Sequence, residues 1–336
     1  MPERPSDSGE RASSGVASGI QATGNPIVDG ISRLLLFLDR LLTPRGAPGA
    51  TSPDAMDDEE LREAAFKLAI ALVDGLGVIV RASFEGPALG DPSWHRPWPI
   101  TVDTFIRSMF MTSLDAFGTA AVGLGMNASV ASTGNIRAVA ECHVLMRWVL
   151  DADSEDERRG RVLAMTKTGI EQARGSLAHW ERTTTGSNDS AMIAYVKQAL
   201  DVTEVDLELL TQRNSLKIPS RPDDLELFDR YLPGGYLRFA LLSSVGAHPG
   251  PSPFFFYGES DSGGAHWDYR GLHAERAFWI TQACYIQLEN CELAAPVCEW
   301  VNYEFLLTRI ADDLRPMAAE AEKRFTARRD PTRIWI

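Results

Sequence analysis

Residues 129–151, SVASTGNIRAVAECHVLMRWVLD, decide the fold class because they form one uninterrupted helical pattern. Arg137 and Glu141 are separated by four positions, so they share one face of a helix and can form an ion pair. Val139, Met146 and Val149 lie on the other side. We predict a helix here, with Arg137 and Glu141 either tying neighbouring helices together or contributing to a functional site.

The same helical period continues in both directions along the chain, and convincing strand patterns are nearly absent. Ser52-Pro53, Thr101 and Ser154 have the residue types that begin helices. Pro296 and Pro316 are expected to break or kink the last helices. The predicted helices cover residues 28–43, 53–82, 101–123, 129–151, 154–180, 190–213, 222–232, 236–245, 270–295 and 297–329.

We therefore predict an all-α fold, a single large helical bundle of about nine or ten helices. Residues 1–26 are rich in Ser, Gly and Pro and predict a disordered tail. The helical domain should extend over residues 27–330, with a subdomain seam near 184–190. The tail lacks an apolar segment, so we do not expect a signal peptide, and the most apolar stretch of the chain contains Lys67 and Asp74. These features predict a cytoplasmic protein that does not enter a membrane.

The net charge of −13 excludes broad binding to DNA, whose phosphates an acidic surface repels. Specific binding of RNA or of a protein partner is compatible with this net charge. Long helices with apolar stripes also favour a homodimer. The chain has four cysteines, of which Cys284, Cys291 and Cys298 recur every seventh residue along one helix stripe. That spacing suits buried, reduced thiols better than a zinc site.

A Gly- and Pro-rich stretch, residues 243–276, contains three of the six histidines of the chain, His248, His266 and His273. His266 and His273, with Glu259 and Asp268 nearby, have the residue types of a zinc or iron site, but no metal-binding spacing. The alternative is that they are loop and cap residues, and no cofactor is then required. Aromatic side chains in two loops are candidates for ligand binding: Trp94, Trp98, Trp267 and Tyr269.

The segments NIRAVAECHVLMRWVLDADSEDERRGRVLAM and YLRFALLSSVGAH together resemble a family of bacterial all-helical proteins of unknown function. That family has an R-x-x-x-E helix, an arginine-rich start to the next helix, and a Tyr-x-x-Leu-Ser-x-x-x-His segment. The matching positions are Arg137, Glu141, Trp148, Asp151, Arg158, Arg159, Tyr236, Ser243 or Ser244, and His248. The segment LRFALLSSVGAH contains an extra serine, so the matching serine is ambiguous.

The family is similar to the HEPN helical bundles, many of which cleave RNA in stress or defence. The resemblance implies a metal-free site in which Arg137, Glu141, His143 and His248 act on a phosphate, His as general acid or base. The HEPN pattern R-x(4–6)-H occurs twice, at Arg137–His143 and Arg174–His179, but about 1.5 matches are expected by chance. Two alternatives remain open: a non-catalytic helical binding module, and a small-molecule enzyme, metal-dependent or not, in an actinobacterial-type pathway.

Overall fold

The structure is a computed structural model that describes residues 52–84, 101–126, 129–183, 187–235, 258–261, 264–267, 273–298, 300 and 303–328. These residues form eight α-helices, so the prediction of an all-α fold is confirmed. Two further predicted helices, at 28–43 and 236–245, lie outside the described residues, as do the predicted tail and Trp94 and Trp98.

The first four helices are α1 (Asp58–Phe84), α2 (Val102–Gly125), α3 (Ser129–Leu150) and α4 (Glu155–Thr183). The last four are α5 (Ser187–Asn214), α6 (Asp224–Tyr231), α7 (His273–Ala294) and α8 (Tyr303–Arg328). A short antiparallel hairpin, β1 (Gly258–Asp261) and β2 (Gly264–Trp267), precedes α7. None of the described helices is long and apolar enough to cross a membrane.

Local capping explains why several helices begin where the sequence predicts. The Thr101 side chain accepts a hydrogen bond from the Thr104 amide and starts α2. The Ser154 hydroxyl accepts one from the amide of Glu157, 3.2 Å away, at the start of α4. Both predicted caps are confirmed.

Three predicted boundaries are wrong. Ser52 precedes only a single 3₁₀ turn, Pro53–Ala55, whereas α1 is capped by Asp57. The Asp57 amide donates to the Glu60 carboxylate, and the Glu60 amide donates to the Asp57 carboxylate. Helix α6 is capped by Asp223 instead of beginning at Pro222. The last helix begins at Tyr303 and continues through Pro316, which stands inside α8.

The hairpin corrects the expectation that this region lacks strands. It pairs Glu259 with His266 in register and connects the stretch that is rich in histidine to α7. Four-residue strands fall below the length at which alternation of apolar and polar residues can be recognised in a sequence.

Helix α7 is the central helix of the fold and packs against α1, α2, α3 and α8. It is buried on nearly all sides, and its cysteines lie in the core as predicted. Phe278 of α7 stacks on Phe325 of α8 with ring centroids 4.1 Å apart. The main core therefore assembles around one helix, which fixes the positions of the side chains it carries.

Helices α4 and α5 form an antiparallel arm with a separate core. Helix α5 packs chiefly on α4. Across the arm, Arg174 forms ion pairs with Asp201 and Glu204, and its Nη2 lies 2.6 Å from a carboxylate oxygen of each. Between the two helices lies a second, smaller apolar cluster of Leu163, Ile170, Leu177, Leu200, Leu207 and Leu216. Helix α4 ends at Thr183 and α5 begins at Ser187, and the predicted subdomain seam near 184–190 stays a prediction.

Candidate functional site

The predicted pair Arg137–Glu141 forms on α3. Arg137 Nε lies 2.5 Å from Glu141 Oε1, and both side chains are about one third exposed, at 31% and 35%. The guanidinium is thus already engaged by a carboxylate at the surface of the bundle. The position is compatible with a structural role or with a polar ligand.

His143 lies on a different side of the same helix. Six residues rotate about 600° around an α-helix, which is about 120° short of two full turns, so the side chains of Arg137 and His143 point in different directions. His143 is completely buried, at 0% exposure, against α7. Its Nδ1 lies 3.0 Å from Asn290 Oδ1. The structure therefore does not bring the side chains of Arg137 and His143 to one open surface.

The orientation of Asn290 assigns the tautomer of His143. Asn290 Nδ2 donates to the carbonyl of Val139 at 3.4 Å, which leaves Oδ1 as the atom facing the imidazole. Nδ1 of His143 then donates to Oδ1, and the lone pair of the neutral ring is on Nε2. That nitrogen lies 3.2 Å from Glu289 Oε2 and has no hydrogen bond of adequate geometry.

The contact between His143 and Glu289 is not an ion pair at neutral pH. Burial lowers the pKa of the His143 imidazole to about 4, an effect that the nearby charge of Arg147 reinforces. Burial also raises the pKa of the Glu289 carboxyl, while Arg147 lowers it and Glu292 raises it. A neutral imidazole lone pair therefore faces a carboxyl group whose charged form is disfavoured.

Glu289 also faces a cavity of about 180 Å³ between α7 and the end of α6. Its side chain is 46% exposed. The polar lining is Gln282, Tyr285 and Glu289, and burial raises the pKa of the Tyr285 hydroxyl. Leu232, Pro233, Gly235 and Ile286 complete the wall. Here a buried histidine contacts a carboxyl group that lines a cavity.

A second candidate site is the outer surface of α5. Five large apolar side chains on this helix are exposed, between 42% and 69%: Met192, Tyr195, Val202, Val205 and Leu209. We call them the outer stripe. The opposite side of α5 holds Leu200 and Leu207, which pack into the arm core against α4. Among the described residues, helix α5 packs chiefly on α4, and it carries more apolar surface than α4 covers.

The remaining predicted site residues are only partly accounted for. His266 and Trp267 belong to β2, and His273 is the first residue of α7. Tyr269 and His248 lie outside the described residues. Within the described part of the chain, no three His, Cys, Asp or Glu side chains cluster as metal ligands. Zinc or iron binding by His266 and His273 therefore stays a prediction.

Glu289, Asn290 and the outer stripe were not among the predicted site residues. Asn290 is separated from His143 by 147 positions, so no local pattern links them. The outer stripe has a local signal, because Tyr195, Val202 and Leu209 are spaced by seven residues. Comparison with known proteins adds no further guide: no family model, curated protein or solved structure matches the chain.

Proposed function

We propose that this protein is a helical binding module whose α4–α5 arm receives an amphipathic helix of a partner protein. The proposal rests on one observation, the outer stripe of α5. Exposed apolar side chains are common singly, whereas several large ones on the same side of one helix favour a binding surface. Helix recognition through spaced apolar anchors is an established mode of peptide binding.

The spacing of the outer stripe matches a helical partner. Met192 occupies an a position of a heptad repeat, and Tyr195, Val202 and Leu209 occupy three successive d positions. The two intervening a positions are Ala199 and Asp206. Such a row forms a straight seam along one helix. A partner helix with Leu, Ile or Val at its own a and d positions would cover the seam by knobs-into-holes packing.

The charge around the stripe specifies the partner further. Helix α5 contains five acidic residues, Asp189, Asp201, Glu204, Asp206 and Glu208, against two basic ones, Lys197 and Arg213. Exposed Asp201 and Glu208, seven positions apart, form an acidic row beside the stripe, and Asp201 also pairs with Arg174 of α4. A partner helix with Lys or Arg flanking its apolar seam is therefore favoured over a second copy of this acidic chain.

A peptide titration tests the proposal. The full chain is titrated with two labelled synthetic heptad peptides, both with Leu at a and d, one with Lys and the other with Glu at e and g. Fluorescence anisotropy should report at least about tenfold tighter binding of the Lys peptide. Val202→Asp should abolish that binding, because it places a charge in the seam. Leu225→Asp, on α6 and 48% exposed, is the matched control and should bind normally.

Two results would overturn the proposal. One is equal binding of the peptides, or equal affinity of the two variants for the Lys peptide. The other is self-association: light scattering after size-exclusion chromatography that finds a dimer, which Val202→Asp converts to a monomer, would make a second copy the occupant.

RNA cleavage without metal stays a prediction. Of the residues named for it, Arg137 is paired with Glu141, His143 is enclosed in the core, and His248 lies outside the described residues. An imidazole must reach the scissile phosphate to transfer a proton, so the enclosure of His143 does not favour that role in this conformation.

A further inference from the structure

A groove between α1 and α2 carries an inference independent of the arm. It has a volume of about 510 Å³. Met111 and Val122, at its two ends, are 40% and 44% exposed. Gly77 and Gly118 carry no side chain, so another helix can approach the backbone closely there. The other lining residues are the apolar Val73 and Leu114 and the polar Asp115 and Thr119. Among the described residues, α1 and α2 thus leave apolar surface uncovered along their contact.

The register between α1 and α2 gives the length and position of the groove. A methyl group at Gly118 would lie 3.5 Å from Val73 Cγ1, and one at Gly125 would collide with the Phe66 ring. The helices are therefore antiparallel, and Met111 and Val122 lie opposite positions 80 and 69 of α1. At the helical rise per residue, the groove is about 16 Å long and lies about 16 to 33 Å from the start of α1.

The predicted helix at 28–43 has the sequence pattern and the length to fill this groove. It lies outside the described residues, so the pattern comes from the sequence alone. Arg33 and Arg40 fall on one side of the predicted helix. The apolar residues fall on the other side: Ile31, Leu34, Leu35, Leu38, Leu41 and Leu42. From Ile31 to Leu42 this apolar side extends about 16 Å along a helix, which equals the length of the groove.

The connection to α1 decides the orientation. Arg324 of α8 donates to the carbonyls of Pro53 and Met56, at 3.1 and 2.8 Å, and so fixes where the chain enters α1. The stretch from Thr43 to Pro53 spans at most about 33 to 36 Å when fully extended. It reaches the near end of the groove, about 16 Å along α1, with ample slack. The far end would require full extension with no sideways displacement, so Leu42 belongs at the near end.

We infer that residues 28–43 bind as a helix in the groove between α1 and α2, antiparallel to α1. Leu42 then lies beside Val122 and Ile31 beside Met111. The apolar side of the segment covers the exposed apolar lining, which the hydrophobic effect favours. Arg33 and Arg40 face the solvent.

Cysteine cross-linking in the full chain tests this arrangement. Four double variants combine Ile31→Cys or Leu42→Cys with Met111→Cys or Val122→Cys. The native cysteines are all buried, and Met111 and Val122 are exposed, so the fold should tolerate these changes. Under a mild oxidant, the pairs 31–111 and 42–122 should form disulfides at least about tenfold faster than the crossed pairs 31–122 and 42–111. Each new cysteine occurs in one matched and one crossed pair, so differences in thiol reactivity cancel.

Three results would overturn the inference. Equal rates in all four variants would show that the segment does not occupy the groove, as would the absence of any disulfide. Faster reaction of the crossed pairs would reverse the orientation. Disulfides between two chains, seen as a dimer on non-reducing electrophoresis, would make a second copy the source of the helix. None of the four variants alters the arm, so failure here and failure of the proposed function are distinct results.

Discussion

At the scale of single residues, His143 is a fully buried titratable group. Its Nδ1 lies 3.0 Å from Asn290 Oδ1, and its Nε2 lies 3.2 Å from Glu289 Oε2. Because its imidazole is enclosed in the core, His143 is not available at the surface as an acid or base. The physical consequence is a dependence of stability on pH.

We expect the free energy of unfolding to decrease as the pH falls from 7 to 5. The pKa of His143 is about 4 in the folded protein and about 6.5 when unfolded, so the unfolded chain binds more protons in this range. The histidine contribution to this loss is about 2 kcal/mol. Burial raises the pKa of Glu289 in the folded protein. Above the pKa that Glu289 has in the unfolded chain, the folded state therefore binds more protons, and this group lowers the free energy of unfolding as the pH rises.

Urea unfolding at pH 7 and pH 5 isolates the histidine contribution when wild type is compared with His143→Gln. The wild type should lose about 2 kcal/mol more than the variant between the two values. An identical pH dependence in both proteins would show that His143 is not the buried neutral group described.

The four cysteines lead to a second prediction at this scale. All four are buried, and burial raises the pKa of the Cys142 thiol to about 12 and that of Cys291 well above its usual value. Thiols that remain protonated and enclosed react slowly. We expect an aromatic disulfide reagent to modify none of them in the native protein and all four in urea. Rapid reaction of any thiol under native conditions would contradict this burial.

At the scale of helices, the arm should behave as a unit of lower stability than the bundle. Leu200 is completely buried between α4 and α5, in the small cluster separate from the main core. Leu200→Ala should destabilise the arm by roughly 2 to 5 kcal/mol. Because α5 packs chiefly on α4, the loss should stay local.

Hydrogen exchange measured by mass spectrometry checks this. In Leu200→Ala, peptides from α4 and α5 should exchange faster while those from α7 keep their protection. Ile280→Ala, a buried change in α7, is the control and should accelerate exchange in α7 and its neighbours. If Leu200→Ala accelerated α7 equally, the arm would not be a separate unit.

Helices were predictable where local chemistry decides them. The caps Thr101 and Ser154 were correct because a cap involves residues three positions apart. Ser52 was wrong because Asp57, five positions later, offers a complete capping box with Glu60. The contact between His143 and Asn290 was beyond prediction, since it depends on how α3 packs on α7. The outer stripe was overlooked because a helical pattern does not reveal which of its faces remains uncovered.

At the scale of the whole molecule, charge should control the proposed interaction. The chain carries −13, and its arm displays an acidic row beside the outer stripe. Binding of the Lys heptad peptide should therefore weaken as NaCl is raised from low to high concentration, because salt screens exposed charges. A peptide with Gln at e and g should show little dependence on salt. Equal salt dependence of the two peptides would show that charge on the partner helix does not contribute to binding.

The central claim is that the outer stripe of α5 is where a partner helix binds. The most direct measurement is hydrogen exchange of the full chain with and without the Lys heptad peptide. The account predicts added protection in peptides spanning residues 190–210, and no change in α1, α7 or α8. Protection confined to the main bundle, or none at peptide concentrations that saturate binding, would contradict the claim.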